Sequence, residues 1–119
     1  MKKSIWLLST LIVLSLVLSA CGQTPATEPT EVNCRAEASY ETVGSYQVPA
    51  PIEGCFNVAF VYVGPHDDGG WSQSHDVGRQ YVEQTLEGVH TAYVENVAEG
   101  ADAEQVTRSL ARKGFDVIF

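Results

Sequence analysis

A chain of 119 residues with 15 acids, 7 bases and 3 histidines carries a formal charge of −8 and has room for one small domain at most. The 99 residues beyond position 20 keep all 15 acids but only 5 bases, a charge of −10, which argues against a nucleic-acid backbone or an anionic membrane surface as the partner. Beyond residue 55, apolar runs alternate with turn signals, a pattern that excludes collagen-like, low-complexity and wholly disordered chains.

Residues 1–20 read as an export signal. Lys2 and Lys3 are followed by an apolar stretch in which 12 of the 16 residues from Ile5 to Ala20 are apolar, and small residues close it. A membrane-spanning helix needs roughly 20 apolar residues, so the segment is short for an anchor and suited to a cleaved signal. Its end, Leu18-Ser19-Ala20-Cys21, resembles the lipobox of bacterial lipoproteins. That resemblance implies lipidation of Cys21, which would hold the mature chain to a membrane through acyl groups. Residues 21–33, rich in Gln, Thr, Pro, Ala and Glu, read as a solvated tether.

Three cysteines leave one over in an exported chain, and lipidation of Cys21 accounts for it. Cys34 and Cys55 can then pair as a disulfide. The segment 34–55 contains Gly44, Pro49, Pro51 and Gly54, so it is expected to be a disulfide-closed loop with little regular structure.

From residue 56 the elements alternate. Phe56 to Val63 is a nearly unbroken β-branched and aromatic run, expected as a strand buried on both faces. After the loop Gly64 to Trp71, the residues Val77, Gly78, Tyr81, Val82, Thr85 and Leu86 recur at helical spacing, with Ser72 or Ser74 as the expected N-cap. Val89 to Val94 alternates, suggesting a strand with one exposed face near the sheet edge. Asp102 with Gln105 three residues on resembles a capping box, ahead of a helix whose apolar face is Ala103, Val106, Leu110 and Ala111. Arg112 and Lys113 suit the negative helix pole, and Gly114 suits a left-handed cap. Phe115 to Phe119 begins a third strand.

This β-α-β-α-β order implies an α/β fold with parallel strands, half of a doubly wound sheet, over residues 56–119. It also suggests a truncated chain that does not fold well by itself, since sheet faces would lack their remaining cover.

Ligands of open parallel sheets bind beyond the carboxyl ends of the strands, which directs attention to Gly64-Pro65-His66-Asp67-Asp68-Gly69-Gly70-Trp71-Ser72. Its glycines allow close backbone approach, Trp71 offers a flat apolar surface, and the helix start offers amide donors. Together these suit a small planar or polar ligand. The loop lacks the Gly-Lys-Ser/Thr ending of a phosphate loop, and no nucleophile motif is present, so no enzymatic activity is expected. His66, Asp67, Asp68, His75 and Asp76 could ligate a metal, but His75 and Asp76 diverge on a helix, so no metal or other cofactor is expected. Arg79 with Asp76 or His75 reads as a surface pair, and Trp71 could instead be a core aromatic.

The run Val58-Ala59-Phe60-Val61-Tyr62-Val63-Gly64, then Asp68-Gly69-Gly70-Trp71-Ser72, His75-Asp76, Gly78-Arg79, Tyr93-Val94-Glu95-Asn96-Val97 and Glu99-Gly100-Ala101-Asp102-Ala103-Glu104, resembles the basic membrane protein family. These are substrate-binding lipoproteins of ABC importers and include purine nucleoside receptors. The resemblance implies a type I periplasmic-binding fold, of which this chain supplies the start of the first lobe. It also implies a purine-like small-molecule ligand and ABC permease and ATPase partners, for an exported chain anchored to the cell membrane by lipidated Cys21 on a periplasmic or extracytoplasmic face. By position, Asp68 becomes the loop acid, Trp71 the stacking aromatic and Ser72 a polar contact where Asn is usual, with Gly69 and Gly70 between them. A ligand-sensing lipoprotein is the alternative from another class, and a metal-dependent hydrolase a third.

Overall fold

The computed structural model describes residues 31–119; the expected export signal, Cys21 and the expected tether up to residue 30 lie outside the described residues. Two short strands come first, β1 (Tyr40–Val43) and β2 (Tyr46–Pro49), paired antiparallel. The segment expected to be an irregular loop is therefore a hairpin. Aromatic and β-branched residues flank a two-residue turn at Gly44-Ser45, and Gly44 takes the positive φ of 62° that primed hairpin turns require. Val48 carries the hairpin into the core, where it is fully buried beside Val106 and Leu110.

Cys34 and Cys55 are disulfide-bonded, with 5.7 Å between their Cα atoms. The bond closes the excursion containing the hairpin and joins it to the residue just before Phe56. Arg35 adds a second tie, donating to the main-chain oxygens of Glu83 at 3.0 Å and Gln84 at 3.2 Å. We expect Cys34→Ser with Cys55→Ser to lower unfolding free energy by about 3 kcal/mol, from the regained freedom of the unfolded loop. Urea denaturation checks this, and a loss under about 1 kcal/mol would contradict it.

The rest alternates strand and helix: β3 (Phe56–Val61), α1 (Trp71–Thr85), β4 (Val89–Val94), α2 (Ala101–Lys113) and β5 (Val117–Ile118). The three strands are parallel in the order β4-β3-β5, with Phe56 opposite Val89 and Val58 opposite Val117. This is the expected α/β start of a doubly wound lobe, with its first strand in the middle.

Alternation along β3 sends side chains to two interiors. Ala59 and Val61 face a core completed by Ala92, Val94, Val97, Val106, Leu110 and the hairpin's Val48. Val58, Phe60 and Tyr62 face the other side with Val89, Tyr93 and Val117. Strand β4 lies at the edge of the three-stranded sheet, as expected, but is more buried than its alternation suggested. The N-terminal segment and hairpin cover it: His90, Thr91, Ala92 and Val94 are all buried, and His90 Nδ1 lies 3.0 Å from the main-chain oxygen of Cys34.

Both helix starts differ from expectation. Helix α2 begins at Ala101 with Gly100, at φ 89°, before it, and Asp102 accepts a hydrogen bond from the Tyr46 hydroxyl at 2.9 Å instead of capping. Helix α1 begins at Trp71, so Ser72 lies inside it, while the Ser74 hydroxyl donates to the main-chain oxygen of Gly70. Neither serine is the cap. At the other end of α2, Gly114 adopts the left-handed conformation and Arg112 and Lys113 occupy the last turn, both as read.

The facing of α1 is the larger correction. Its apolar spacing is helical, yet Val77 is 59% and Tyr81 68% exposed. The sheet instead receives Ser72, Asp76 and Arg79, because hydrophobic periodicity identifies a helix without deciding which neighbour each face meets.

Candidate functional site

The carboxyl ends of β3 and β4 lead into two loops, 62–70 and 95–100, that lie side by side. Main-chain bonds join their bases: the Asn96 amide donates to the Gly64 oxygen at 3.3 Å and the Val97 amide to the Tyr62 oxygen at 2.9 Å. Asn96 adopts a left-handed φ of 59°, a conformation that asparagine tolerates better than most residues.

Asp68 shapes the first loop. Its Oδ1 accepts the amides of Gly70 at 2.8 Å and Gln73 at 3.0 Å, and its Oδ2 accepts that of Ser72 at 3.3 Å. The carboxylate thus does the work of an N-cap from two residues before Gly70. The amides of Gln73 and Gly70 hold its carboxyl below the usual carboxylate range. Donors expected to be free for a ligand are partly consumed here, whereas the amides of Gly69 and Trp71 have no acceptor among the described residues.

Trp71 follows at the first helical position with 74% of its surface exposed, its ring centroid 4.6 Å from that of His75. Within residues 31–119 it is a surface aromatic and not a core one. Ser72 lies beneath the loop at 0% exposure, and its hydroxyl has no hydrogen-bond partner among the described residues.

Below the loop, α1 meets the sheet through a charged network. Asp76, 1% exposed, accepts from Arg79 Nε at 2.6 Å, Gln80 Nε2 at 2.6 Å and the Tyr62 hydroxyl at 3.3 Å. Arg79 also reaches Glu83 at 2.8 Å and Thr91 at 3.2 Å, and its guanidinium carbon lies 5.1 Å from the centroid of the Tyr93 ring. Burial pushes the Asp76 carboxyl up, but the bonds from Arg79 and Gln80 outweigh it and hold the group below the usual range. The pair read as a surface contact is a buried one.

The five potential metal ligands do not converge: no group of three or more suitable side chains occurs among the described residues. His75 Nδ1 lies 2.8 Å from the Trp71 main-chain oxygen, and Asp68 and Asp76 are engaged as above. His66 pairs instead with Glu95, 29 residues away, a partnership that no sequence spacing signals. Glu95 Oε2 accepts the His66 amide at 2.8 Å and lies 2.8 Å from its Nδ1, while the imidazole sits 5.1 Å from the Tyr93 ring. The only available pointer was the place of Glu95 just beyond the second strand of the sheet.

The fold and site therefore define the class: an open parallel sheet of α/β type whose strand-end loops present an aromatic surface and main-chain amides. Comparison with known proteins makes this specific. Residues 55–119 match the family described as ABC transporter substrate-binding protein PnrA-like, and the chain belongs to that family. A purine-binding protein of Brucella abortus is 44% identical over 71 residues, covering 59% of this chain and 20% of the relative. A Haloferax volcanii protein named, provisionally, as an ABC transporter glucose-binding protein is 41% identical over 70 residues, covering 58% of this chain and 18% of the relative. The chain spans about a fifth of the length of these curated relatives.

Proposed function

We propose that this chain is the start of the first lobe of a membrane-anchored solute receptor that binds a purine base or nucleoside and delivers it to an ABC permease and its ATPase. The observation that carries the reading is the exposed indole of Trp71 at the carboxyl end of an open parallel sheet, within a chain of the substrate-binding family. Binding is the activity, with no covalent change to the ligand. Trp71 supplies a stacking surface, the turn at Gly69 and Gly70 lets a ligand approach the backbone, and Asp68 fixes the turn by holding its amides. Ser72 contributes a hydroxyl from below, which requires the loop to shift on binding. Two lobes closing about a hinge would trap the solute.

The name of the Brucella relative supports purine, and that of the Haloferax relative favours a sugar as the second reading, since an aromatic face also packs on a sugar ring. Titrating the complete protein with adenine, adenosine, guanosine and glucose, followed by intrinsic fluorescence, separates the two. Saturable change with the purines and none with glucose is expected; the reverse establishes the sugar reading, and no change with any defeats both. Anchoring rests on Cys21, so labelled palmitate should enter the wild-type protein and not Cys21→Ala.

A further inference from the structure

The loop that carries Trp71 is joined to its neighbour at its base by main-chain bonds, but farther out by one side-chain contact, His66 with Glu95. Glu95 Oε2 serves both the amide and the ring of His66, so one carboxylate oxygen fixes the backbone and the imidazole together. Asp68 governs the following turn through amides of its own loop and helix. Without Glu95, the stretch from Pro65 to Asp67 keeps, among the described residues, only the looser contact of His66 with Tyr93 on β4, whose hydroxyl lies 3.5 Å from Nδ1 and whose ring centroid lies 5.1 Å from the imidazole.

We propose that Glu95 is a positioning residue that acts through His66 to hold the 64–70 loop in its ligand-competent conformation, and so sets the affinity of the Trp71 surface for its solute. This rests on the receptor reading above. It makes binding depend on pH. The charged groups facing His66 are Glu95 beyond β4, Asp67 on its own loop and Asp76 on α1, with Tyr93 against its ring and Arg79 over that tyrosine. The hydrogen bond to Glu95, aided by the nearby acids, holds the imidazole above its ordinary value. The His66 amide and then its ring hold the Glu95 carboxyl below the usual range. The charged brace is thus at full strength below the ordinary histidine pKa of about 6.5, and weakens as pH rises through the higher folded value.

The test uses the complete protein, Glu95→Gln and His66→Gln. Imidazole proton resonances give the His66 midpoint without ligand, and fluorescence titration gives the affinity for adenosine and adenine from about pH 5.5 to about pH 8.5. We expect the wild-type His66 midpoint to lie above the ordinary value and to fall in Glu95→Gln. Wild-type affinity should decline several-fold across the range, while both variants bind about tenfold more weakly at the acid end and show no such decline, with little change in thermal midpoint. A His66 midpoint at the ordinary value, or a Glu95→Gln protein that keeps the wild-type affinity and pH slope, overturns the proposal. A wild-type protein that binds neither probe overturns the purine reading, and the His66 midpoints then still confirm or refute the brace itself.

Discussion

Replacing Asp76 with alanine should lower the unfolding free energy of the complete protein by about 3 kcal/mol or more, because it leaves the Arg79 charge half-buried against the sheet without its 2.6 Å partner. Asp76 also accepts from Gln80 and the Tyr62 hydroxyl, so its removal frees three donors, of which those of Arg79 and Tyr62 lie where little water reaches. The dependence on pH has a definite sign. Because the folded-state pKa of Asp76 is depressed, its stabilisation is present above the unfolded carboxyl value of about 3.9 and is lost as pH falls through the folded value. Asp76→Asn should therefore fall below wild type at neutral pH, and the difference should shrink in acid. Denaturant unfolding at a series of pH values checks both statements. A double change, Asp76→Leu with Arg79→Met, should cost less than Asp76→Ala, since it removes both charges together. Equal stability of Asp76→Ala and wild type at neutral pH would show that the network contributes nothing.

Trp71→Ala is expected to have the opposite profile, with a large effect on binding and a small one on folding. Its indole is mostly in solvent and its ring neighbour is His75, so little packing is lost. Stacking on a purine base contributes about 1–3 kcal/mol, which corresponds to roughly five- to 150-fold in affinity. Calorimetric titration with adenosine should show that loss, with Trp71→Phe retaining much of the affinity and the thermal midpoints of all three proteins close together. Unchanged adenosine affinity in Trp71→Ala would remove the indole from the site.

The contrast between these two residues marks what local sequence conveys. Both lie on α1, five residues apart, and the spacing of Val77, Tyr81 and Val82 identified that helix. It did not show that Asp76 turns inward while Tyr81 turns out, because the Asp76 side depends on Tyr62 just beyond β3 and, through Arg79, on Thr91 from β4, which no window around the helix contains. The capping residues show the same limit. Ser72 and Asp102 are good cap formers in isolation, but the α1 amides are taken by Asp68 from farther back, and Asp102 is drawn to Tyr46 on a hairpin 56 residues away. The hairpin itself was legible in the residues flanking Gly44-Ser45, yet the prolines and glycines around it resemble a loop equally well.

The sequence by itself determined the alternation of strand and helix after residue 55, the parallel sheet and the left-handed cap at Gly114. These follow from periodicity and local backbone preference, which act over a few residues. Only the tertiary structure decided that Asp68 holds the helix amides, that Ser72 and Asp76 are buried while Trp71 is open, and that Glu95 pairs with His66. Each of these depends on which distant groups share a small volume, and it is the packed chain that brings such groups within hydrogen-bonding range.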